Sequence, residues 1–376
     1  MDSRLIKYAG ILLIAFVLTA CYRTPQSLLY NETLKQQRTQ VEAGMSSNIV
    51  EEKELFQYRF YSPNKAHYIS EHLDYQKSVG EPLPVKTQLY YGENLIDTAS
   101  YPFGYEHKQK KAHVVWIDNK NIIINEIYIF NIETMTKDPI KFPKDFRDSE
   151  PILSYQLDPT SKTIAYMCFR QSDNLKGVLK VSLYNLEKNS WENIFSEEIS
   201  WMPDWGYDSG ISQLLWDKDG KLYFDYPITN EYTQVIQYDP KTNKIMNLKP
   251  GFKLFDASPD KKYFIIEKQE TSQSGVQVNF YVIESNTLEI VYKLSSNRYT
   301  WSSETHGELA VLTYNSTESN SKNVSIELIS LDERKIIKTI KDNRFKIPKD
   351  TIALIDSYEH NYVLNLGEKI YLIKSD

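Results

Sequence analysis

The chain has very little cysteine and little glycine. Only Cys21 and Cys168 occur, so no disulfide framework can be built. Glycine numbers 13 in 376 residues, and none forms the loops that cradle phosphates or the Gly-x-Ser-x-Gly elbow that presents a nucleophilic serine. A basic excess is also missing: Lys and Arg total 44 against 50 Asp and Glu, which argues against a nucleic-acid partner needing a cationic face. The six histidines, His67, His72, His107, His113, His306 and His360, show no i, i+4 pair, and there is no Cys-x-x-Cys. Metal-ligand spacing is therefore absent, and no cofactor is implied. Apart from Ala9 to Val17, long apolar runs are lacking, and that stretch is too short and wrongly flanked for a spanning helix.

What is present is tyrosine, 28 of them, set in short alternating segments that suit pleated, half-buried surfaces. The stretch from Leu153 to Phe195 serves as the template. Leu153-Leu157, a turn at Asp158-Pro159, Thr163-Phe169, Val181-Leu186, a turn over Glu187-Ser190 and Trp191-Phe195 read as a four-stranded meander. A strand ending apolar-then-acidic before a polar turn recurs at Phe130-Glu133, Tyr184-Glu187, Ile236-Asp239, Tyr281-Glu284 and Ile329-Asp332. The acidic residues are spaced by 54, 52, 45 and 48 positions. Four strands in an interval near fifty predict propeller blades.

The predicted units are 86–142, the template, 210–248, 251–294, 298–340 and a short last unit from Thr351 to Asp376 that lacks its fourth strand. The isolated strand Leu55-Tyr61 is the candidate to fill that place, which would pair the N-terminal and C-terminal strands and remove exposed edges. The expectation is an all-β, six-bladed β-propeller of four-stranded antiparallel blades. Seven blades is the alternative, because the connector from Ser62 to Pro84 has room for concealed strands.

Arg4 and Lys7 precede the apolar run, and Leu18-Thr19-Ala20-Cys21 follows it. A basic start, a short apolar core and small residues make a secretory signal. The Leu-Thr-Ala-Cys box resembles the lipobox of bacterial lipoproteins, which implies acylation at Cys21 and cleavage before it. The expected organisation is a signal over 1–20, the lipidated Cys21 with a polar tether over 21–54, and the propeller over 55–376. The site of action is then the extracytoplasmic face of the cell membrane, reached through the lipid anchor.

Ser258-Pro259-Asp260-Lys261-Lys262-Tyr263-Phe264 and Asp158-Pro159-Thr160-Ser161-Lys162-Thr163 resemble the WD40-like repeat of TolB-type propellers. With the lipobox and the length, the chain resembles the six-bladed propeller lipoproteins of Gram-positive bacteria, the YqgU-like family. That resemblance brings no catalytic residues to carry over.

Three further features bear on function. Cys168 lies within the apolar strand Ile164-Phe169 with no activating neighbour, which reads as a buried structural thiol. Asp217-Lys218-Asp219-Gly220 begins like a calcium loop but lacks the acidic twelfth position, Ile228 standing there, so it reads as a hairpin turn. The connector Ser200 to Gly210 gathers Trp201, Asp204, Trp205, Tyr207 and Asp208. Aromatic faces stack on sugars or anchor protein partners while carboxylates bond hydroxyls, so these five form the candidate ligand or partner site. The competing reading is a connector that plugs one end of the propeller with its own rings. The leading functional expectation is a non-catalytic binding or scaffold protein of the cell envelope, with an envelope protein or wall glycan as partner. The alternative is an envelope hydrolase or lyase acting on wall glycans or peptides at the propeller mouth.

Overall fold

The computed structural model describes residues 38–39, 49–52, 58–74, 85–101, 114–124, 127–143, 152–171, 176–200, 213–227, 233–248, 251–272, 275–302, 307–316, 321–349, 353–358, 361–366 and 369–374. Every described element is a strand. Among the described residues there are seven antiparallel sheets, six of four strands and one of five. The first sheet holds Tyr58–Tyr61, Tyr68–Asp74, Val85–Tyr91 and Asn94–Tyr101, and the second Val114–Trp116, Asn121–Ile124, Tyr128–Asn131 and Thr136–Pro139. The third is the template meander, Ile152–Leu157, Thr163–Gln171, Lys176–Asn185 and Ser190–Ser200. The fourth holds Leu214–Trp216, Leu222–Pro227, Thr233–Asp239 and Lys244–Leu248. Lys253–Ala257, Tyr263–Ser272, Gly275–Glu284 and Ile290–Lys293 make the fifth, and Tyr299–Trp301, Glu308–Ser316, Ser321–Ser330 and Lys335–Pro348 the sixth. The seventh sheet combines Leu354–Tyr358, Asn361–Asn365 and Ile370–Lys374 with Ile49–Glu52 and, outside that, Arg38–Thr39.

Local chemistry sets the turns. Between first and second strands a short polar side chain folds back on the backbone. Asp158 Oδ1 accepts from the amides of Lys162 at 2.7 Å and Thr163 at 2.8 Å, and Asp217 Oδ1 accepts from Asp219 and Lys221 at 2.9 and 2.8 Å. Asp118, Ser62 and Ser258 repeat the device in the second, first and fifth sheets. Asp217–Gly220 is thus a turn, as read from its residues. Each recurring apolar-then-acidic segment ends a third strand, and the turn after it contains a left-handed residue: Met135, Asn189, Asn243, Leu288 or Arg334.

Packing follows from the two-residue side-chain period. Leu214 and Trp216 face the third sheet and join Ala165 and Met167, whereas Leu215 between them faces the fifth and joins Phe264 and Ile266. Similar clusters link the first sheet to the second, the second to the third, the fifth to the sixth and the sixth to the seventh. Cys168 is fully buried in the cluster between the second and third sheets.

Three expectations are corrected. The strand that pairs with the C-terminus is Ile49–Glu52, in register Ile49 with Ile373 and Glu52 with Ile370, and not Leu55-Tyr61. Tyr58–Tyr61 instead opens a complete sheet of its own, because the connector conceals the strand Tyr68–Asp74. The unit drawn over 86–142 therefore straddles two sheets, and the sheet number is the alternative, seven. The segment 21–54, expected as a tether, supplies two strands to the body.

Candidate functional site

The first strands of neighbouring sheets touch: Tyr58–Tyr61 meets Val114–Trp116, Ile152–Leu157 meets Leu214–Trp216, Leu214–Trp216 meets Lys253–Ala257, and Tyr299–Trp301 meets Leu354–Tyr358. Three of these strands are only three residues long and end in tryptophan: Val-Val-Trp116, Leu-Leu-Trp216 and Tyr-Thr-Trp301. In each, the indole N–H donates to the first strand of the preceding sheet. The acceptors are Phe60 O at 2.8 Å, Gln156 O at 3.2 Å and Asp256 Oδ2 at 2.9 Å. A buried indole must place its single donor, and here the donor ties one sheet to the next. Tyr299 adds a second donor to Asp256 at 3.2 Å. Burial first, and the Asp256 charge second, push its phenol well above the ordinary value, so it remains a donor.

Asp225 does the corresponding work at the other end of the strands. Its side chain is fully buried beside the entrance to the fourth sheet. Oδ1 accepts from the amide of Gln213 at 2.8 Å, just before the first strand of its own sheet. Oδ2 accepts from the amide of Leu254 at 2.9 Å, in the first strand of the fifth sheet. Burial pushes the carboxyl up to about 6, against the pull of Lys253 and the two amides. With each oxygen already engaged by a backbone donor, Asp225 clamps two adjacent strands and is not arranged as a general acid or base.

Gln213 is the first described residue after the aromatic connector. Trp201, Asp204, Trp205, Tyr207 and Asp208 lie outside the described residues, as does the acylation candidate Cys21. What the structure contributes is the root of that connector: Ser190–Ser200 leads into it and the Asp225 clamp receives it. Asp225 escapes sequence reasoning because its partners are 12 and 29 residues away, with no motif linking them. The tryptophan ending a short first strand was a legible signal that the reading of the residues passed over. Among the described residues no group of three or more His, Cys, Asp or Glu side chains is arranged to hold a metal ion. His67 packs on Tyr91, its Nδ1 2.9 Å from the phenol oxygen.

No family model and no curated protein matches the chain. Solved structures do. Oligogalacturonate lyase from Vibrio parahaemolyticus is similar at 10% identity with a TM-score of 0.50, over 85% of this chain and 97% of that one. The β-propeller domain of the Trilobed protease from Pyrococcus furiosus is similar at 13% identity and a TM-score of 0.42, over 81% and 83% of the two chains. TolB from Acinetobacter baumannii is similar at 13% identity and a TM-score of 0.35, over 82% and 79%. Identity this low speaks to fold alone. Consecutive four-stranded meanders, packed face on face with their first strands side by side, make this chain a β-propeller.

Proposed function

We propose that the protein is a lipid-anchored binding or scaffold propeller on the extracytoplasmic face of the membrane. The lipobox residues Leu18-Thr19-Ala20-Cys21 support the anchor. The observation that carries the binding role is the clamp at Asp225. A connector rich in aromatic side chains and carboxylates is received by a strand whose preceding amide, that of Gln213, is fixed to a buried carboxylate shared with the next sheet. Binding loops work best on such rigid roots, because less ordering entropy is lost when the ligand arrives. Trp201 and Trp205 supply flat apolar faces, and Asp204 and Asp208 supply acceptors for hydroxyl or amide donors.

Cross-linking and recovery from intact envelopes tests this reading, with the native chain beside a Trp201→Ala/Trp205→Ala variant. One protein recovered with the native form and lost with the variant supports the scaffold role. Equal recovery by both forms removes the connector from the interface. Recovery of nothing, together with cleavage of wall fragments by the purified chain, would replace the binding role with a catalytic one. Cys21→Ala is expected to release the protein from membranes or leave its leader uncleaved.

A further inference from the structure

The fourth strands of the sheets differ sharply in charge. Lys335–Pro348, the outermost strand of the sixth sheet, carries a net charge of +4, whereas the six others lie between −3 and +1. From Glu333 to Lys349 the chain holds seven cations and two carboxylates, in a molecule whose overall net charge is −6. Arg344 is neutralised by Asp342, with Nε to Oδ1 at 2.7 Å, and Lys335 lies 2.5 Å from Glu333. Arg334, Lys338, Lys341, Lys346 and Lys349 are exposed along the same edge. At its start the strand also exposes two aliphatic side chains, Ile336 at 42% and Ile337 at 43%.

Position adds to charge. Phe345 and Ile347 of this strand share one buried cluster with Ile49, the residue that opens the N-terminal strand of the seventh sheet. The N-terminal strand that the Cys21 segment leads into therefore packs in the same core as the sheet whose outermost strand is the basic one. A chain of 27 residues separates Cys21 from Ile49, so the body sits close to whatever surface holds the acyl group.

We propose that the Lys335–Pro348 strand docks the propeller edge-on against an anionic phospholipid surface, its lysines over the headgroups and Ile336 and Ile337 at the interface. The inference rests on the anchoring at Cys21 proposed above. Basic residues next to an anchor add electrostatic attraction to anionic lipid, and a single edge of this kind fixes orientation as well as affinity. Lysines on a sheet edge also discourage strand pairing between molecules, and that alone would need no lipid.

The test uses the full acylated chain in vesicles, with an aqueous-quenchable fluorophore placed through Ile337→Cys and, as a control, through Met135→Cys in the second sheet. Cys168 is buried, and Cys21 carries the lipid. In vesicles containing phosphatidylglycerol, quenching at position 337 is expected to fall several-fold relative to phosphatidylcholine alone, and to recover at high salt. Position 135 is expected to stay quenched in both. Lys338→Glu/Lys341→Glu is expected to abolish the protection, and Lys338→Arg/Lys341→Arg to keep it. Sedimentation with both vesicle types but equal quenching at 337 overturns the docking while leaving the anchor standing. No sedimentation with either type removes the anchor, and the docking with it.

Discussion

At Asp225 the fold holds a carboxyl that it makes harder to ionise. Its value in the folded chain is pushed up to about 6, from an ordinary 3.8, mainly by burial. The unfolded chain therefore releases this proton first as pH rises, so the group weakens the fold between about pH 4 and pH 6, by up to about 3 kcal/mol. Urea unfolding of Asp225→Asn is expected to show a shallower loss of stability across that window than the native chain. Above pH 6, where the native group is a carboxylate with both oxygens accepting, one amide oxygen cannot serve both strands, which offsets about 1–2 kcal/mol of what the variant gains there by escaping the ionisation penalty. An unchanged slope would show that the carboxyl does not titrate in this window. Gly220, at φ +81° with open space around it, tests strain without packing: Gly220→Ala should cost about 1 kcal/mol by thermal melting. The exposed left-handed Met135 is the mirror case, and Met135→Gly should leave the melting temperature unchanged or raise it.

Among elements, the three strands that end in tryptophan work as pegs between sheets. Trp301→Phe keeps most of the apolar volume but removes the donor to Asp256, leaving that carboxylate Tyr299 and the amide of Ala257. A loss of about 1–2 kcal/mol is expected by chemical denaturation. Trp216→Phe, whose acceptor is the Gln156 carbonyl, should lose less because a neutral partner is given up. Elements of this kind were legible where their chemistry is local. The Asp-Pro and Ser-Pro turns lie within a few residues of what they bond, so the sequence displays them. Two strands were hidden for the opposite reason. Ile49–Glu52 reads Ile-Val-Glu-Glu, too short and polar to signal a strand, and is ordered by a partner at the far end of the chain. Tyr68–Asp74 lies in a segment punctuated by prolines, and the hairpin after its partner turns on Gly92 rather than on the acidic signature. The candidate site was legible as composition only: the connector's residues could be named, but not the buried clamp that receives them.

For the whole molecule, the consequence is a boundary. A chain starting at Arg38 keeps both added strands of the seventh sheet, and a chain starting at Leu55 loses them and bares the edge of Ile370–Lys374. The shorter chain is expected to melt several degrees lower and to aggregate on storage, read by scanning calorimetry and light scattering. Equal behaviour of the two would mean that the seventh sheet stands on three strands alone. That shared sheet also sets a schedule. Ile49 is made long before Ile373, so their pairing is among the longest sequence separations the fold contains. Closing such a distance is slow compared with folding one local meander, and six sheets can be in place while the seventh still waits. Under the anchoring proposed at Cys21, the N-terminal segment is held at the membrane during that wait while its pairing edge stands open. A cell that makes this protein should therefore need a holding factor while the seventh sheet waits for its last strand more than it needs one afterwards.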